Sequence, residues 1–295
     1  MSKTSRLFSF LKNSLKKKDF PDVINYEITS RCNLNCEHCY WRKTIKSKKE
    51  LSCDEWKHVF LEHKSRGANS AYLTGGEPAL RLDIIKLADD IFDGLGIVSN
   101  GVIKIPDEIQ RRIFISIDGP KEIHDKIRGR KVFDIVLKNI KDDKRVILTP
   151  TLSTTNYMYI GELVKIAKDA NVEGITFSTY TSHNKENDPL LLKGKELDET
   201  VDKLKEVWKK NKDIVFLTPS MINLFKTKEH YKQCYFKGKN FISFDAALNI
   251  KRPCVIGEGV DCSTCGCIVP VMSHSLKHLD IKSWILFDRY FPERY

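Results

Sequence analysis

The stretch VINYEITSRCNLNCEHCYW, residues 23–41, joins a short apolar run to three closely spaced cysteines. The apolar run over 23–28 predicts a β-strand, and the polar residues after it predict a loop at its carboxyl end. Five further short apolar runs follow, each before a helical pattern, at residues 71–73, 95–98, 113–117, 146–148 and 175–177. Strands that alternate with helices pair in parallel through right-handed crossovers, so the sequence predicts an α/β fold, either a barrel or an open sheet.

The helical patterns complete six strand–helix units. They begin at Asp54, Leu82 and Asp107 and recur over residues 132–140, 160–167 and 197–208. A seventh short strand is predicted at 214–217. Past about residue 230 this rhythm gives way to a segment with cysteine, glycine and proline, which we interpret as a small separate lobe.

Composition narrows the class of protein. The chain has 295 residues, of which 41% are hydrophobic and 30% are charged, which is typical of a globular protein and excludes fibrous and wholly disordered classes. No apolar run reaches the roughly 18 residues of a membrane-spanning helix, and the N-terminus lacks the apolar stretch of a secretory signal. We therefore expect a cytoplasmic protein.

Basic residues exceed acidic ones, 50 to 39, for a net charge of +11. Such a balance indicates either a solvated basic surface or attraction to an acidic partner. No nucleic-acid-binding module is visible, so we expect no nucleic-acid partner. Residues 1–20 form a basic amphipathic segment, which predicts a short helix that lies at the inner face of a membrane, packs on the body of the protein or is a loose tail.

Nine cysteines in a reducing compartment are metal ligands, nucleophiles or buried apolar residues more often than disulfides. Eight of them fall into two groups. The first contains Cys32, Cys36 and Cys39, and the second contains Cys234, Cys254, Cys262, Cys265 and Cys267. Cys53 stands alone at the start of an amphipathic helix, where we expect a buried structural residue.

The first cysteine group lies directly after the first predicted strand, at the edge where parallel α/β folds place their active sites. Two alternative kinds of metal site would suit three thiols on one loop. A tetrahedral zinc site needs a fourth ligand, for which His38 is the candidate. Alternatively, the three thiolates bind three irons of a [4Fe–4S] cluster and leave the fourth iron open.

The spacing Cys32-x3-Cys36-x-His38-Cys39 resembles the signature of the radical S-adenosylmethionine (SAM) superfamily, C-x3-C-x-aromatic-C, with His38 in the aromatic position. The resemblance implies a [4Fe–4S] cluster whose open iron chelates SAM. It also implies reductive cleavage of SAM to a 5′-deoxyadenosyl radical that removes a hydrogen atom from the substrate. Cys32, Cys36 and Cys39 are then the catalytic ligands.

Later strand ends carry further motifs similar to those of the family. Gly75, Gly76, Glu77 and Pro78 resemble its GGEP element, which holds the SAM amino group. Ser99, Asn100, Ser116 and Asp118 follow the third and fourth strands, where family elements contact the ribose or carboxylate of SAM. Arg128 matches an arginine that helps to bind SAM, and a guanidinium suits its carboxylate. His124 is expected to be structural, and Thr149, Thr151 and Ser153 are weaker candidates for adenosine contacts.

The second group offers five thiols, one more than a four-cysteine site requires. Zinc or a second Fe–S cluster would satisfy the spacing equally well. Residues 241–254 resemble the hairpin and Pro-Cys turn of SPASM/twitch extensions, which carry auxiliary clusters in many radical SAM enzymes. This segment has fewer cysteines and lacks the usual hairpin glycine, so the resemblance implies a shortened version with one auxiliary [4Fe–4S] cluster.

With this resemblance, we interpret the fold as a partial (β/α)6 TIM-like barrel with a small C-terminal cysteine-rich lobe. Residues 1–20 are the basic segment, 21–228 the barrel, and 229–295 the auxiliary lobe with a C-terminal helix. The implied function is hydrogen abstraction from an unactivated C–H bond of a peptide, protein or peptide-derived substrate. The implied electron donor is a low-potential ferredoxin or flavodoxin. Two alternatives remain open: a membrane lipid as substrate, and a zinc-stabilised binding protein without catalysis.

Overall fold

A computed structural model describes residues 20–44, 50–183 and 188–290. Nine short strands are present in this part of the chain: β1 Val23–Glu27, β2 Ser70–Thr74, β3 Gly94–Ser99, β4 Arg112–Ile115, β5 Val146–Leu148, β6 Thr151–Leu152, β7 Gly174–Ile175, β8 Ser178–Thr179 and β9 Phe241–Phe244. The expected basic helix over residues 1–20 falls outside the described residues, except for Phe20.

Ten α-helices connect or flank the strands. They are α1 Tyr40–Thr44, α2 Cys53–Ser65, α3 Leu82–Ile91, α4 Lys121–Arg128, α5 Phe133–Ile140, α6 Ile160–Asp169, α7 Gly194–Lys210, α8 Pro219–Thr227, α9 Ile268–Lys277 and α10 Ile281–Tyr290. Short 3-10 helices occupy Pro78–Arg81, Tyr157–Tyr159, Glu229–Tyr231, Tyr235–Lys237 and Cys262–Thr264. None of the helices in the described ranges is both long and apolar enough to cross a membrane.

Seven strands form one parallel sheet in the order β7-β5-β4-β3-β2-β1-β9. The six strands from β7 to β1 are the predicted ones, and β9 adds a strand from the C-terminal region beside β1. Among the described residues, β7 and β9 do not pair with each other, so the barrel is partial. The predicted fold class is therefore confirmed.

The register of the sheet brings the strand ends together. Glu27, the last residue of β1, lies opposite Thr74, the last of β2, and Ser99 at the end of β3 lies opposite Ile115 at the end of β4. Since all strands run in the same direction, the loops after them share one rim. The cysteine loop and the later motifs therefore meet at the carboxyl edge of the sheet.

Two predicted elements differ from the structure. Residues 107–110 form a turn rather than a helix. The side chain of Arg145 donates hydrogen bonds to the carbonyl oxygens of Ile105, Pro106 and Ile109, and these tertiary contacts hold the segment in a loop. The predicted strand at 214–217 contributes only an isolated bridge, between Val215 and Ile175. The sequence analysis also missed helix α4, which is short and polar.

Aromatic residues fill the core between β1 and α2. The rings of Tyr26, Trp56 and Phe60 pack at centroid distances of 5.0–5.7 Å, and all three side chains are fully buried. Helix α2 begins with a capping box in which Ser52 and Glu55 exchange hydrogen bonds, a motif that stabilises helices by about 1 kcal/mol. Cys53, the first residue of α2, is exposed, so its predicted burial is wrong. The N-terminal turn of α2 faces solvent at that position.

Candidate active site

The loop that carries the first three cysteines is held by a carboxylate from outside it. Glu50 accepts hydrogen bonds from the hydroxyl of Thr29 (2.9 Å) and from the main-chain N–H (2.6 Å) and hydroxyl (2.8 Å) of Ser30. Burial raises the pKa of Glu50, but the Ser30 and Thr29 donors together with Arg31 outweigh burial and lower it. The Glu50 carboxylate is therefore ionised, and the hydrogen bonds that it accepts fix the chain just before Cys32.

The cysteine loop also rests on the end of helix α4. The main-chain N–H of Asn35 donates to the carbonyl of Arg128 (3.3 Å), and that of Glu37 donates to the carbonyl of Ile127 (2.8 Å). Cys32, Cys36 and Cys39 are all partly buried. Burial raises the pKa of Cys32 to about 11, and the neighbouring Cys36 and Cys39 add to the rise. Three thiols gathered in this way ionise readily only when a cationic metal group compensates their charge.

Two glycines let the loop after β2 lie against the cysteine loop. A Cβ on Gly76 would stand 2.0 Å from the carbonyl oxygen of Arg31, and one on Gly75 would stand 2.6 Å from that of Thr29. Gly75 also has a φ of +127°, which favours glycine. The N–H groups of Gly76 and Glu77 donate to the carbonyls of Thr29 and Arg31. The GGEP segment is thus bonded directly to the residues before Cys32.

The Glu77 carboxylate is buried and turned toward the protein. It accepts hydrogen bonds from the N–H of Ala79 (2.9 Å), the hydroxyl of Ser99 (2.7 Å) and the N–H of Asn100 (2.7 Å). The Asn100 side chain then donates to Asn33 in the cysteine loop (2.8 Å). Glu77 therefore positions the second and third rim motifs, and the 3-10 helix after it begins with Pro78.

A buried ion pair joins the fourth strand end to helix α4. The Arg128 guanidinium lies 2.6 Å from the Asp118 carboxylate and 3.7 Å from the sulfur of Cys36. Burial raises the pKa of Asp118, but Arg128, His38 and His124 outweigh burial and lower it. His38 approaches the same carboxylate at 3.9 Å. Asp118 thus links the cysteine loop to α4 as an anion.

His124 is buried beside this ion pair. Its Nδ1 accepts a hydrogen bond from the N–H of Asp118 (3.2 Å), which assigns the ring proton to Nε2. Burial lowers the pKa of His124 to about 4, and the adjacent Arg128 adds to the decrease, so the ring is neutral at pH 7. Among the described residues, neither His124 Nε2 nor Arg128 Nε has a hydrogen-bond partner.

The two residues that carry these donors both contact Asp118 at the rim. Buried donors without partners are unfavourable, and a carboxylate or hydroxyl group of a bound ligand would satisfy them. The residues present therefore fit SAM, which carries both kinds of group. Ser116 lies at the same rim, where its N–H donates to the carbonyl of Ser99 (3.1 Å).

Of the three weaker candidates, which lie after β5 or on β6, Thr151 alone contacts this ion pair. The N–H of Thr151 donates to the Asp118 carboxylate (3.1 Å), and the Asn156 amide donates to the Asp118 carbonyl (2.8 Å). Ser153 hydrogen-bonds with Asn156, and Thr149 bonds to the carbonyl of Ile115. Asn156, which the sequence analysis did not single out, orders this corner of the rim.

The second cysteine group lines one cavity. All five thiols, Cys234, Cys254, Cys262, Cys265 and Cys267, face it, and apolar side chains such as Phe236, Val255 and Ile256 form much of the remaining wall. Burial raises the pKa of Cys254 to about 11, and Cys265 and Cys234 raise it further. A cavity lined with thiols and apolar groups fits a metal–thiolate centre shielded from water.

Neither of the two cysteine groups has its side chains arranged around a single metal ion. Within the ranges the structure covers, no three His, Cys, Asp or Glu side chains are arranged to hold one metal ion. A multinuclear cluster spaces its ligands farther apart than one ion does, so this finding leaves the fit to a cluster intact.

Three residues missed by the sequence analysis lie between the two cysteine groups. Lys251, three residues before Cys254, forms a buried ion pair with Glu27 at the end of β1. Its ammonium also lies 5.4 Å from the ring centre of Tyr40, which directly follows Cys39. Lys251 therefore ties the C-terminal cysteine segment to the rim. No local sequence pattern identifies this contact, because its partners are more than 200 residues apart.

A similarity to a known family covers the segment just described. The family described as "Radical SAM superfamily" matches residues 26–163. These residues include the cysteine loop and the rim as far as Arg128. Over these residues, a little under half of its length, the chain is similar to the radical SAM superfamily. The cofactors of this superfamily are a [4Fe–4S] cluster and SAM.

Curated relatives match about half of the chain. An AdoMet-dependent heme synthase of Methanosarcina barkeri is 34% identical over 166 residues, which are 50% of this chain and 48% of the relative. The sporulation killing factor maturation protein SkfB of Bacillus subtilis is 27% identical over 51% of this chain and 40% of its own. The chain thus spans about half the length of these relatives.

Solved structures share the fold over a longer span. Native anSMEcpe with bound AdoMet superimposes with a TM-score of 0.66 at 16% identity, over 80% of this chain and 75% of that one. Streptococcus suis SuiB bound to precursor peptide SuiA gives 0.61 at 13% identity, over 85% and 63%. Both likenesses extend beyond the segment that the family description matches.

Proposed function

We propose that the protein is a radical SAM enzyme in which Cys32, Cys36 and Cys39 bind a [4Fe–4S] cluster with one open iron. Bound there, the cluster and SAM would supply the 5′-deoxyadenosyl radical that removes a hydrogen atom from an unactivated C–H bond. The observation that carries this proposal is the convergence of the three thiols with the orphaned donors of His124 and Arg128 on one buried rim.

The residues of the rim have distinct roles in this proposal. Arg128 and His124 bind the carboxylate or a hydroxyl of SAM through the donors that lack protein partners. Gly75 and Gly76 bring main-chain groups close to the amino group, and Glu77 positions Ser99 and Asn100 for the ribose. Asp118 keeps Arg128 charged and oriented, and His38, which approaches the same carboxylate, would lie beside the cluster.

The C-terminal cysteines would hold one auxiliary [4Fe–4S] cluster. Four-cysteine ligation suits electron transfer to or from the substrate radical, and three-cysteine ligation suits substrate binding. The proposed division of the chain, a barrel over 21–228 and an auxiliary lobe over 229–295, assigns one cluster to each part. The basic surface suits an acidic ferredoxin or flavodoxin as electron donor.

A peptide or protein is the proposed substrate class. It is supported by the relatives named as maturation proteins and by the SuiB structure with its precursor peptide. A second candidate, an iron porphyrin, is favoured by the relatives named AdoMet-dependent heme synthase and Fe-coproporphyrin III synthase. The lipid alternative depends on residues 1–20, and liposome flotation of the chain with and without them tests it: unchanged partitioning would remove its support.

Anaerobic reconstitution tests the central proposal. The protein should bind about seven or eight irons with matching acid-labile sulfide, and under reduction with SAM it should form 5′-deoxyadenosine. Cys36→Ala should abolish 5′-deoxyadenosine and retain the auxiliary iron, whereas Cys53→Ala, at an exposed cysteine outside both groups, should change neither. Colourless, zinc-containing protein without sulfide would instead favour a binding protein without catalysis.

A further inference from the structure

Lys228 holds an unusual backbone conformation at the end of helix α8. Its φ is +57°, in the left-handed region, and its N–H closes the helix by donating to the carbonyl of Leu224. Glycine or asparagine normally occupies this position, because a side chain makes the conformation unfavourable.

The side chain of Lys228 reaches the C-terminal cysteine loop. Its ammonium donates hydrogen bonds to the carbonyl oxygens of Cys265 (3.1 Å) and Thr264 (3.4 Å). The buried ring of His230 donates from Nε2 to the same Cys265 carbonyl (3.1 Å). Two side chains from one short segment thus fix the loop that presents Cys262, Cys265 and Cys267 to the cavity.

This ammonium has no counter-charge from a carboxylate. Over the described ranges, no Asp or Glu forms a salt bridge with Lys228, and both of its acceptors are neutral carbonyls. Burial lowers its pKa to about 8, and the nearby Cys265 opposes the decrease. A partly buried cation is stabilised by a nearby anion. The five-cysteine cavity is where one would lie, because Cys265, whose carbonyl Lys228 binds, lines that cavity together with Lys237.

We propose that Lys228 is a counter-charge, in addition to Lys237 on the cavity wall, of an anionic iron–sulfur–thiolate group in the five-cysteine cavity, and that its charge raises the reduction potential of that group. A fixed positive charge favours the reduced state, which carries one more negative charge, and the apolar wall strengthens the effect because it screens weakly. Lys228 is not a ligand of this group, and it acts on the group through its charge. This inference rests on the proposed function of the C-terminal cysteines.

Potentiometric titration followed by EPR tests the inference in full-length protein. Substituting Cys32, Cys36 and Cys39 with Ala leaves only the auxiliary cluster to be observed. In this background Lys228→Gln keeps hydrogen-bond donors and removes the charge, whereas Lys228→Arg keeps the charge. Lys226→Gln is the matched control, because Lys226 lies on the same helix but pairs with Asp198 at the surface.

We expect Lys228→Gln to reduce the equilibrium constant for cluster reduction about tenfold, which is about 59 mV for one electron. The reduction potentials of Lys228→Arg and Lys226→Gln should stay close to that of the parent. An unchanged potential in Lys228→Gln, or loss of iron from both Lys228→Gln and Lys228→Arg, would overturn the inference in favour of a purely structural contact. Loss of iron from Lys228→Gln alone would support it. A parent without iron and sulfide would instead refute the auxiliary cluster itself, and the inference with it.

Discussion

The Asp118–Arg128 ion pair gives the sharpest prediction about stability. The Asp118 side chain is 0% exposed and that of Arg128 is 8% exposed. Arg128→Met removes one partner and leaves a buried carboxylate whose remaining donors include the N–H of Thr151. Breaking a buried pair from one side costs about 3–5 kcal/mol, because the other charge stays buried. We therefore expect a loss of this size in the free energy of unfolding.

Urea unfolding of the metal-free protein under reducing conditions measures this loss at pH 7. The control is Lys165→Met, which breaks an exposed pair with Asp169 and should cost less than about 0.5 kcal/mol. The double variant Asp118→Asn/Arg128→Met should be more stable than the sum of the two single variants predicts. A loss below about 1 kcal/mol for Arg128→Met would refute the claim that this pair carries buried charge.

The pH dependence has a definite sign. The folded protein holds the pKa of Asp118 below its unfolded value, so the ionised carboxylate stabilises the fold above that unfolded value, about 3.9. This contribution is lost as the pH falls through the folded pKa. The stability difference between the native protein and Asp118→Asn should therefore stay level from pH 7 down to about pH 5 and shrink below about pH 4, and a difference that stays constant down to about pH 2 would contradict the assignment.

Three further substitutions test other parts of the structure. Gly76→Ala places a Cβ 2.0 Å from the Arg31 carbonyl, so iron at the first site should be lost, whereas Gly161→Ala, with open space around it, should retain iron. Gly266→Ala places a Cβ 1.8 Å from the Thr179 hydroxyl, and iron analysis should show loss from the C-terminal site alone. Trp56→Ala empties a fully buried site and should lower the free energy of unfolding by about 3–5 kcal/mol in urea, with a smaller loss indicating that the core collapses around the gap.

Local patterns were sufficient to predict most of the sheet. Each predicted barrel strand is a short apolar run buried on both faces, and such runs stand out against the polar loops around them. The residues at 107–110 were predicted wrongly because the carbonyl oxygens of Pro106 and Ile109 bond to Arg145, more than 30 residues away. Helix α4 was missed because its composition is mostly polar, and its buried His124, Ile127 and Arg128 occupy only one face.

The site shows the same division between local and distant information. Thiols and glycines carry their chemistry in the residue type and spacing, so the sequence analysis could single them out as candidates. Glu50, Lys251 and Lys228 act through contacts with residues that are distant along the chain, and a lone Glu or Lys has no distinguishing pattern. Glu77 was identified as part of the element that holds the SAM amino group. The sequence did not indicate that the Glu77 carboxylate accepts hydrogen bonds from Ser99 and Asn100.

The central claim is that three early thiolates leave one iron of a cluster open to SAM. Pulsed EPR of the reduced protein with SAM labelled by ¹⁷O in the carboxylate and ¹⁵N in the amino group tests it most directly. The account predicts hyperfine coupling of both labels to the cluster, in the native protein and in Cys234→Ala/Cys254→Ala, and none in Cys36→Ala. Native protein that binds labelled SAM and shows no coupling to either label would contradict it.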